Sequence, residues 1–419
     1  MLSTFDIAAL LFLMATLIGL VNERSFDLPR PIALLLGALA ISLIIALLPP
    51  INGIDLLART QQRLQAANLS KVLLEGLLAL LLFAASFHVR LRQIRTSAWM
   101  ILMLATFSVV LATVLFGGAI WAVFHLSGVL VPLAWCMVLG AILAPTDAVV
   151  VEQLFDRIAL PERVRALITG EGLFNDGAAV VVFFAMLALA NGRTDTIGDG
   201  RLASSILLDS ASGALIGAAG GTLAMLAAKL ARNDIQVITL SLALVIAVYR
   251  IAGVFAVSGP IAVVVAGLML GNAAKKSEVR WRESLTAFWT MVNELLNTLL
   301  FLLIGFQVLT ISFSAAGVLP VLAAIPIALL ARYLSIVVPV WFLPIAAAER
   351  HSAIGLLTWT GMRGGISLAL ALTLPAETPH RDALASVCYA VVIFSVVVQG
   401  LLTPWIIAKL YGSGGSAKG

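Results

Sequence analysis

Residues 169–177 read TGEGLFNDG and place two carboxylates, Glu171 and Asp176, inside an apolar run that extends from 164 to 190. A run of that length can cross a bilayer as a helix, which needs about 20 apolar residues. An ionised side chain near the bilayer centre is energetically costly, so an intramembrane carboxylate indicates a functional site. A second acid, Asp147, lies in the preceding apolar run. Two buried acids on consecutive spans predict a pathway for a cation, a proton or both.

The composition of the whole chain indicates an all-α polytopic membrane protein. Hydrophobic residues make up 61% of the 419 residues, charged residues only 11%, and the mean hydropathy is +1.09. Soluble domains carry about 25% charged residues, which excludes a soluble protein. The apolar runs are continuous and do not alternate, which favours helices over a β-barrel. Cys136 and Cys388 lie in apolar runs and predict neither a disulfide framework nor a metal site.

Apolar runs predict about 13 transmembrane helices. The first run lacks a basic start and a cleavage site, so we interpret it as a membrane span and not as a signal peptide. Several runs exceed the length that a bilayer requires, which predicts tilted or broken helices. The divisions near Arg250 and Pro320 are the least marked. The runs are 5–22, 31–49, 69–89, 97–125, 129–152, 164–190, 202–228, 235–250, 252–272, 286–312, 316–347, 352–374 and 383–408.

The distribution of Lys and Arg predicts the orientation of these spans. With the N-terminus outside, the inner connections hold 17 basic residues and the outer connections hold 7. Because cytoplasmic loops are enriched in Lys and Arg, this bias predicts an N-terminus outside and a cytoplasmic C-terminus. The sequence pI of ≈ 9.5 therefore reflects topology and does not predict a nucleic-acid partner. Residues 409–419 are predicted to form a flexible tail.

Two interruptions at corresponding spans predict a single transporter domain, 1–419, that contains two inverted repeats. Span 5 carries PTD at 145–147, and span 12 carries GMRGG at 361–365. Repeat one is expected at about 5–190, a linking helix at about 202–228 and repeat two at about 235–408. Each interruption then falls in the fifth helix of its repeat. Broken helices at matching positions are a sequence sign of a transporter site.

Asp176 is the leading candidate for the transport site, with Asn175 beside it. A low-dielectric environment disfavours a charged carboxylate, and either a proton or a monovalent cation can neutralise it. Binding is then competitive, and a single acid exchanges one cation for one proton. The alternative is an acid that only forms hydrogen bonds between helices.

Glu171 precedes Asp176 by five residues, which separates the two by roughly 140° around a helix. Glu171 remains a candidate ion- or proton-binding residue, but it needs a partner of its own. Arg332, within the run 316–347, is the leading candidate, because a buried Arg without a carboxylate is costly. The alternative places Arg332 in a loop between two short helices.

The two interruptions carry the remaining site candidates. Thr146 offers hydroxyl and carbonyl oxygens, so the expected cation ligands are Asp176 and Thr146. Asp147 either binds the ion directly or neutralises the N-terminal end of a nearby half-helix, the role that we favour. Arg363 is expected to compensate either the C-terminal carbonyls of a half-helix or the carboxylate of Asp147.

No Walker motif, zinc-ligand spacing or nucleophile elbow appears in the sequence. The sequence therefore predicts no ATP-driven pump, no enzyme and no bound cofactor. The other polar residues in or near the spans are secondary candidates: Glu75, Glu294, His88 and His125.

These motifs resemble the cation–proton antiporter family that includes bacterial NhaP and the animal sodium–proton exchangers. The sequence departs from many members at Gly172, where they have Ser, and at Ala148, where they have Pro. These departures leave the preference among Na⁺, Li⁺ and K⁺ open. The matching residues are APTD at 144–147, GEGLFND at 170–176, LFLLIG at 300–305, Arg332 and GMRGG at 361–365.

The resemblance implies that Asp176 carries the cation and the proton, that Asn175 supports it and that Glu171 pairs with Arg332. It also implies a homodimer in which a six-helix core moves like an elevator against a dimerisation domain. Exchange would be electroneutral, one cation for one proton, across the inner membrane of a bacterium.

Three other functions fit the sequence less well. A sodium-coupled symporter of a small organic solute needs a roomy cavity with more polar or aromatic residues. A cation channel needs rings of carbonyl or acidic groups, and a membrane enzyme needs a nucleophile or a metal set. The sequence therefore favours a secondary antiporter, with the symporter as the alternative.

Overall fold

The structure is a computed structural model that describes residues 4–48, 77–88, 98–147, 162–192, 201–276, 281–310, 317–341, 347–374 and 378–411. Throughout these ranges the regular secondary structure is helical, in agreement with the predicted all-α class. Within the described residues, eight helical stretches are long and apolar enough to cross a membrane; one of them, Arg381–Leu410, includes a π-helical segment. The larger number of spans expected from the sequence stays a prediction.

Each apolar run of the sequence contains most of one or more of these helices. A 3₁₀ turn, Val308–Thr310, follows α10, and a π-helical segment, Ser395–Gln399, joins α14 to α15 without a gap. The helices are α1 (Thr4–Ser25), α2 (Arg30–Leu47), α3 (Leu78–His88), α4 (Ala98–Leu126), α5 (Leu133–Ile142), α6 (Glu162–Ala190), α7 (Arg201–Leu230), α8 (Asp234–Val254), α9 (Gly259–Lys276), α10 (Arg282–Gln307), α11 (Val318–Trp341), α12 (Ala347–Thr360), α13 (Gly365–Leu372), α14 (Arg381–Phe394) and α15 (Gly400–Tyr411).

The predicted division near Arg250 lies a few residues later in the structure, between Val254 and Gly259. Arg250 lies inside α8 with an exposed side chain, and the helix continues to Val254. It ends in a Schellman-type turn, in which the N–H of Val257 donates to the carbonyl of Ala252 at 2.9 Å and the intervening Ala256 has a left-handed φ of 55°. The turn and not the charged residue marks this boundary, because α8 continues for four residues after Arg250.

The helices pack in two sets. In one set, α4 packs against α5, α6 and α11, and α5 packs against α6; we call these four the site-bearing helices. In the other, α3, α7, α8 and α9 pack together. Small residues bring backbones close in the second set, since a Cβ on Gly217 of α7 would overlap the carbonyl of Ala262 in α9.

Two non-helical segments interrupt the apolar helices at the predicted motifs. Helix α5 ends at Ile142, and residues 143–147, which we call break one, have no helical structure. Helix α12 ends at Thr360, and residues 361–364, which we call break two, separate it from α13. The breaks touch each other, because the N–H of Asp147 donates to the carbonyl of Met362 at 2.7 Å. Ala148 lies outside the described residues.

Candidate ion-binding site

Helix α6 supplies three polar side chains to the interior of the site-bearing helices. Glu171, Asn175 and Asp176 are buried, with 2%, 0% and 8% of their surfaces exposed. Apolar residues such as Ala179 and Phe183 bury the next turns of the same helix. An apolar helix that carries three buried polar groups must satisfy or use each of them, because an unpaired polar group in the bilayer interior is costly.

Asn175 links α6 to break one. Its Nδ2 donates to Glu171 Oε1 at 3.0 Å, to the hydroxyl oxygen of Thr146 at 3.1 Å and, more distantly, to the carbonyl of Ala144 at 3.4 Å. The amide thereby orients the carboxylate of its own helix and the hydroxyl of the neighbouring segment together. Thr146 is itself buried, at 3% exposure.

Two oxygen atoms at this position have no hydrogen-bond partner among the described residues. They are Asn175 Oδ1 and Asp176 Oδ1, and both are buried. Carboxylate and amide oxygens are the ligands that hard cations prefer. Together with the hydroxyl oxygen of Thr146, which Asn175 contacts, these two oxygen atoms are candidate ligands for a small cation. A proton on Asp176 is the other way to satisfy the carboxylate.

Glu171 and Arg332 form a buried, bidentate ion pair. Arg332 Nη1 donates to Glu171 Oε1 and Nη2 to Glu171 Oε2, each at 2.8 Å, and the two side chains are 3% and 4% exposed. Arg332 Nη2 also donates to the carbonyl of Leu357 at 3.1 Å. Arg332 lies within α11, so the alternative of a loop position is wrong. Gly361 of break two leaves room for the guanidinium, because a Cβ there would overlap Arg332 Nε.

Arg363 of break two compensates carbonyl groups of break one. Its Nη1 donates to the carbonyl of Ala144 at 2.7 Å and to that of Pro145 at 3.1 Å. Of the two partners considered from the sequence, these bonds match the carbonyls that follow a half-helix. Arg363 thus satisfies two carbonyls of break one just beyond the end of α5, where the helix no longer supplies N–H donors.

Asp147 lies against break two. A Cβ on Gly364 would overlap its carboxylate, so the glycine is what permits this approach. Asp147 is also held through its main chain by Met362. These contacts place Asp147 where the two breaks meet.

Three of the secondary candidates lie outside this cluster. Glu294 is at the surface, where it pairs with Arg30 at 3.4 Å and its side chain is 53% exposed. His88 contacts the hydroxyl of Thr290 at 2.8 Å, and His125 stacks on Trp121 near the end of α4. Glu75 lies outside the described residues.

Sequence reasoning missed two polar residues that reach the cluster from the π segment. The hydroxyl of Ser395 accepts the N–H of Arg363 at 2.8 Å, and Gln399 donates to the carbonyl of Trp359 at 3.2 Å. The available signal was a Ser and a Gln four residues apart in a largely apolar run. Such spacing places both on one face of a helix.

Comparisons with known proteins give one consistent family. The sequence model of the family described as "Sodium/hydrogen exchanger, transmembrane" matches residues 8–409. A Na⁺/H⁺ antiporter, NhaP, of Pseudomonas aeruginosa is 35% identical over 416 residues, which cover 97% of each chain. The Na⁺/H⁺ antiporter ApNhaP of Aphanothece halophytica is 32% identical over 83% of this chain and 66% of its own.

The fold has a solved counterpart. The structure of the sodium proton antiporter MjNhaP1 from Methanocaldococcus jannaschii at pH 8 superposes with a TM-score of 0.75. The superposition covers 98% of this chain and 100% of that chain at 19% sequence identity. At that identity the likeness concerns the fold alone.

Proposed function

The chain belongs to the sodium/hydrogen exchanger family, and from that premise we propose that it exchanges Na⁺ for H⁺ across a membrane at Asp176. It is a transporter and not an enzyme, and its all-helical fold is that of an integral membrane protein. One observation carries the proposal. Asp176 Oδ1 and Asn175 Oδ1 are buried oxygen atoms without a hydrogen-bond partner among the described residues, on a helix that an Asn–Thr contact ties to break one.

The formal charges around the site support exchange of one cation for one proton. Glu171 and Arg332 cancel each other, and Asp147 and Arg363 carry opposite charges at the junction of the breaks. Asp176 is the remaining acid of this set. A proton or a monovalent cation on Asp176 brings the set to neutrality, whereas its empty carboxylate leaves one negative charge in a region that water does not solvate well. Loaded states of equal charge make the exchange electroneutral.

The cation is ligated by Asp176, Asn175 and Thr146, with Na⁺ as the main substrate and Li⁺ or K⁺ as further ones. Glu171 is held by Arg332 and Asn175, and so acts on the site through Asn175 and not as a direct ligand. Asp147 and Arg363 stabilise the breaks. Nothing in this arrangement favours the sodium-coupled symporter, and the family favours the antiporter.

We propose that alternating access uses the two helix sets. The site-bearing helices and the two breaks, drawn from both inverted repeats, form the part that moves. Helices α3, α7, α8 and α9 belong to the part against which it moves. The protein acts as a homodimer in the bacterial inner membrane, with its N-terminus outside and its C-terminus in the cytoplasm.

The test is cation-driven proton movement in liposomes that contain the purified protein. Vesicles with an acidic lumen receive external NaCl, LiCl or KCl, and a luminal dye reports pH. Saturable alkalinisation by wild type that is lost in Asp176→Asn supports the proposal, and Glu294→Gln is the matched control because Glu294 is a surface acid. A rate that is independent of an imposed membrane potential supports the one-for-one ratio.

Two outcomes contradict it. Unchanged alkalinisation by Asp176→Asn moves the ion site to another acid, with Asp147 and Glu171 next. Wild-type protein that is folded but moves no protons with any of the three cations overturns the antiporter function itself.

A further inference from the structure

The π-helical segment Ser395–Gln399 carries two buried polar side chains at its ends. Ser395 is 0% exposed and Gln399 is 3% exposed, within a largely apolar run. π-Helical turns are rare and are found often at functional sites. Burial of a hydroxyl and an amide in an apolar helix is costly unless both are used in hydrogen bonds.

Both side chains bind break two and its preceding helix. The hydroxyl of Ser395 accepts the N–H of Arg363 at 2.8 Å and donates to Gln399 Oε1. Gln399 Nε2 donates to the carbonyl of Trp359 at 3.2 Å, and the indole N–H of Trp359 donates back to the carbonyl of Gln399 at 3.1 Å. The π segment therefore forms hydrogen bonds with Trp359, in the last turn of α12, and with Arg363, in break two.

Gln399 also lies beside the two buried arginines. It lines a cavity of ≈ 10 Å³ with Arg332, Thr358, Gly361 and Arg363, among others. Arg332 Nε and Thr358 Oγ1 are buried there without a hydrogen-bond partner among the described residues. A polar cavity of this size takes at most a water-sized guest. Gln399 of the π segment therefore lines this polar cavity together with residues of α11, α12 and break two.

The next link in the chain of contacts reaches the ion site. Arg363, whose N–H Ser395 holds, donates from its guanidinium to the carbonyls of Ala144 and Pro145. Thr146 follows directly and accepts a hydrogen bond from Asn175. Only break two stands between the π segment and break one along this route. Since break two has no helical hydrogen bonds of its own, external bonds determine where Arg363 sits.

From these contacts we propose that Ser395 and Gln399 are positioning residues for the cation site. They hold break two so that Arg363 keeps break one, and with it Thr146, in register with Asn175 and Asp176. This proposal rests on the proposed ion site at Asp176. Loss of either side chain weakens cation binding and leaves the rate of the loaded carrier largely unchanged, because neither residue touches the ion or the proton.

The experiment measures the Na⁺ dependence of exchange in liposomes for wild type, Ser395→Ala, Gln399→Met and Ser395→Thr. Ser395→Ala and Gln399→Met each remove two buried side-chain hydrogen bonds. We expect KM for Na⁺ to rise about tenfold in both, which corresponds to about 1.4 kcal/mol of weakened cation binding, with Vmax within about twofold of wild type. Ser395→Thr keeps the hydroxyl and is expected to retain the wild-type KM. The control is Ser386→Ala, because Ser386 lies on α14, is buried, and donates only to the carbonyl of Asp382 in its own helix.

The outcomes separate this proposal from the proposed function. Wild-type exchange with an unchanged KM in both Ser395→Ala and Gln399→Met overturns the positioning role and leaves the antiporter intact. An equal rise of KM in Ser386→Ala also overturns it, since the effect is then general to the helix. Absence of exchange in wild type overturns both proposals. If Ser395→Ala does not fold, Ser395→Cys keeps the side-chain size with a weaker hydrogen-bonding group and decides the question by the same KM comparison.

Discussion

Asn175 is the side chain that turns separate polar residues into one site. Its amide N–H groups contact Glu171 on its own helix and Thr146 on break one, and its oxygen remains available. Asp176 is the next residue along α6, so the free carboxylate oxygen and the free amide oxygen belong to adjacent positions. The chemistry at this scale is a competition between a proton and a cation for the same oxygen atoms.

That competition predicts the sign of the pH dependence. As pH falls, protons occupy Asp176 and a smaller fraction of the carriers can bind Na⁺ from the same side. The apparent KM for Na⁺ therefore rises as pH falls, by about tenfold per pH unit where the protonated form predominates, and Vmax changes little. Initial rates over a range of Na⁺ concentrations at several external pH values test this. A KM that is independent of pH would mean that the proton and the cation bind different groups.

The Glu171–Arg332 pair predicts that removing one of its two charges destabilises the protein more than removing both. Arg332→Met leaves Glu171 charged and buried, and breaking a buried pair in this way costs about 3–5 kcal/mol. The double variant Glu171→Gln, Arg332→Met removes both charges and is expected to lose less stability than the single one. Thermal unfolding midpoints in detergent compare the three proteins. A double variant that is less stable than Arg332→Met would contradict the pairing argument.

At the scale of elements, the breaks are the parts of the helices that other elements must complete. Break one is held by Arg363 and Asn175, and break two is held by the π segment and by the N–H of Asp147. Each break thus donates hydrogen bonds to carbonyl groups of the other. Glycines in break two allow this proximity, because side chains there would meet Arg332 and Asp147.

Gly364→Ala is the sharpest test of this contact. The added Cβ would overlap the carboxylate of Asp147, so the two breaks must separate, and overpacking of this kind typically costs about 1–3 kcal/mol. We expect Na⁺-driven proton movement to fall at least about tenfold, together with a lower unfolding midpoint. Gly355→Ala is the matched control, because a Cβ there meets Leu410 at an ordinary contact distance of 3.4 Å. Equal activity of the two variants would show that the breaks need not touch.

At the scale of the whole molecule, polar side chains lie inside the protein and large apolar side chains lie on its outer surface. The site-bearing helices hold their polar residues inside, whereas α7 and α8 expose large apolar side chains along their outer faces, such as Leu215 at 71% and Ile246 at 60%. Apolar surfaces of this kind suit a lipid environment or a second copy of the chain. The orientation of the protein in the membrane is predicted separately, from the distribution of Lys and Arg between the two sides.

The predicted orientation has a direct measurement. Lys229 and Phe255 flank α8 at opposite ends, and both side chains are exposed. The charge bias predicts that Lys229→Cys reacts with a membrane-impermeant thiol reagent only from the cytoplasmic side, and Phe255→Cys only from the outside. The native Cys136 and Cys388 are buried, so a background with both replaced by Ala serves for labelling. Labelling of both positions from the same side, or of each from the opposite side to the one predicted, would refute the orientation.

Among the site residues, those whose burial is costly by itself could be found without a structure. Asp176, Glu171 and Arg332 each stand out in an apolar run, because an ionised group there requires a reason. A buried Arg also needs a buried carboxylate, which made Glu171 the natural partner before any distance was known. Ser395 and Gln399 did not stand out, since neutral polar residues are tolerated in apolar helices and their use depends on what lies opposite.

The sequence by itself determined the class of protein, the approximate positions of its helices and the two places where helices are interrupted. These follow from local quantities, namely hydropathy, helix breaks and the cost of isolated charges, that each segment carries in its own residues. Only the tertiary structure decided that Arg363 binds the carbonyls of break one, that Asn175 donates to both Glu171 and Thr146, and that α8 runs past Arg250. These depend on which backbone groups of distant segments are left unsatisfied and how closely their atoms approach, and no local pattern encodes such distances.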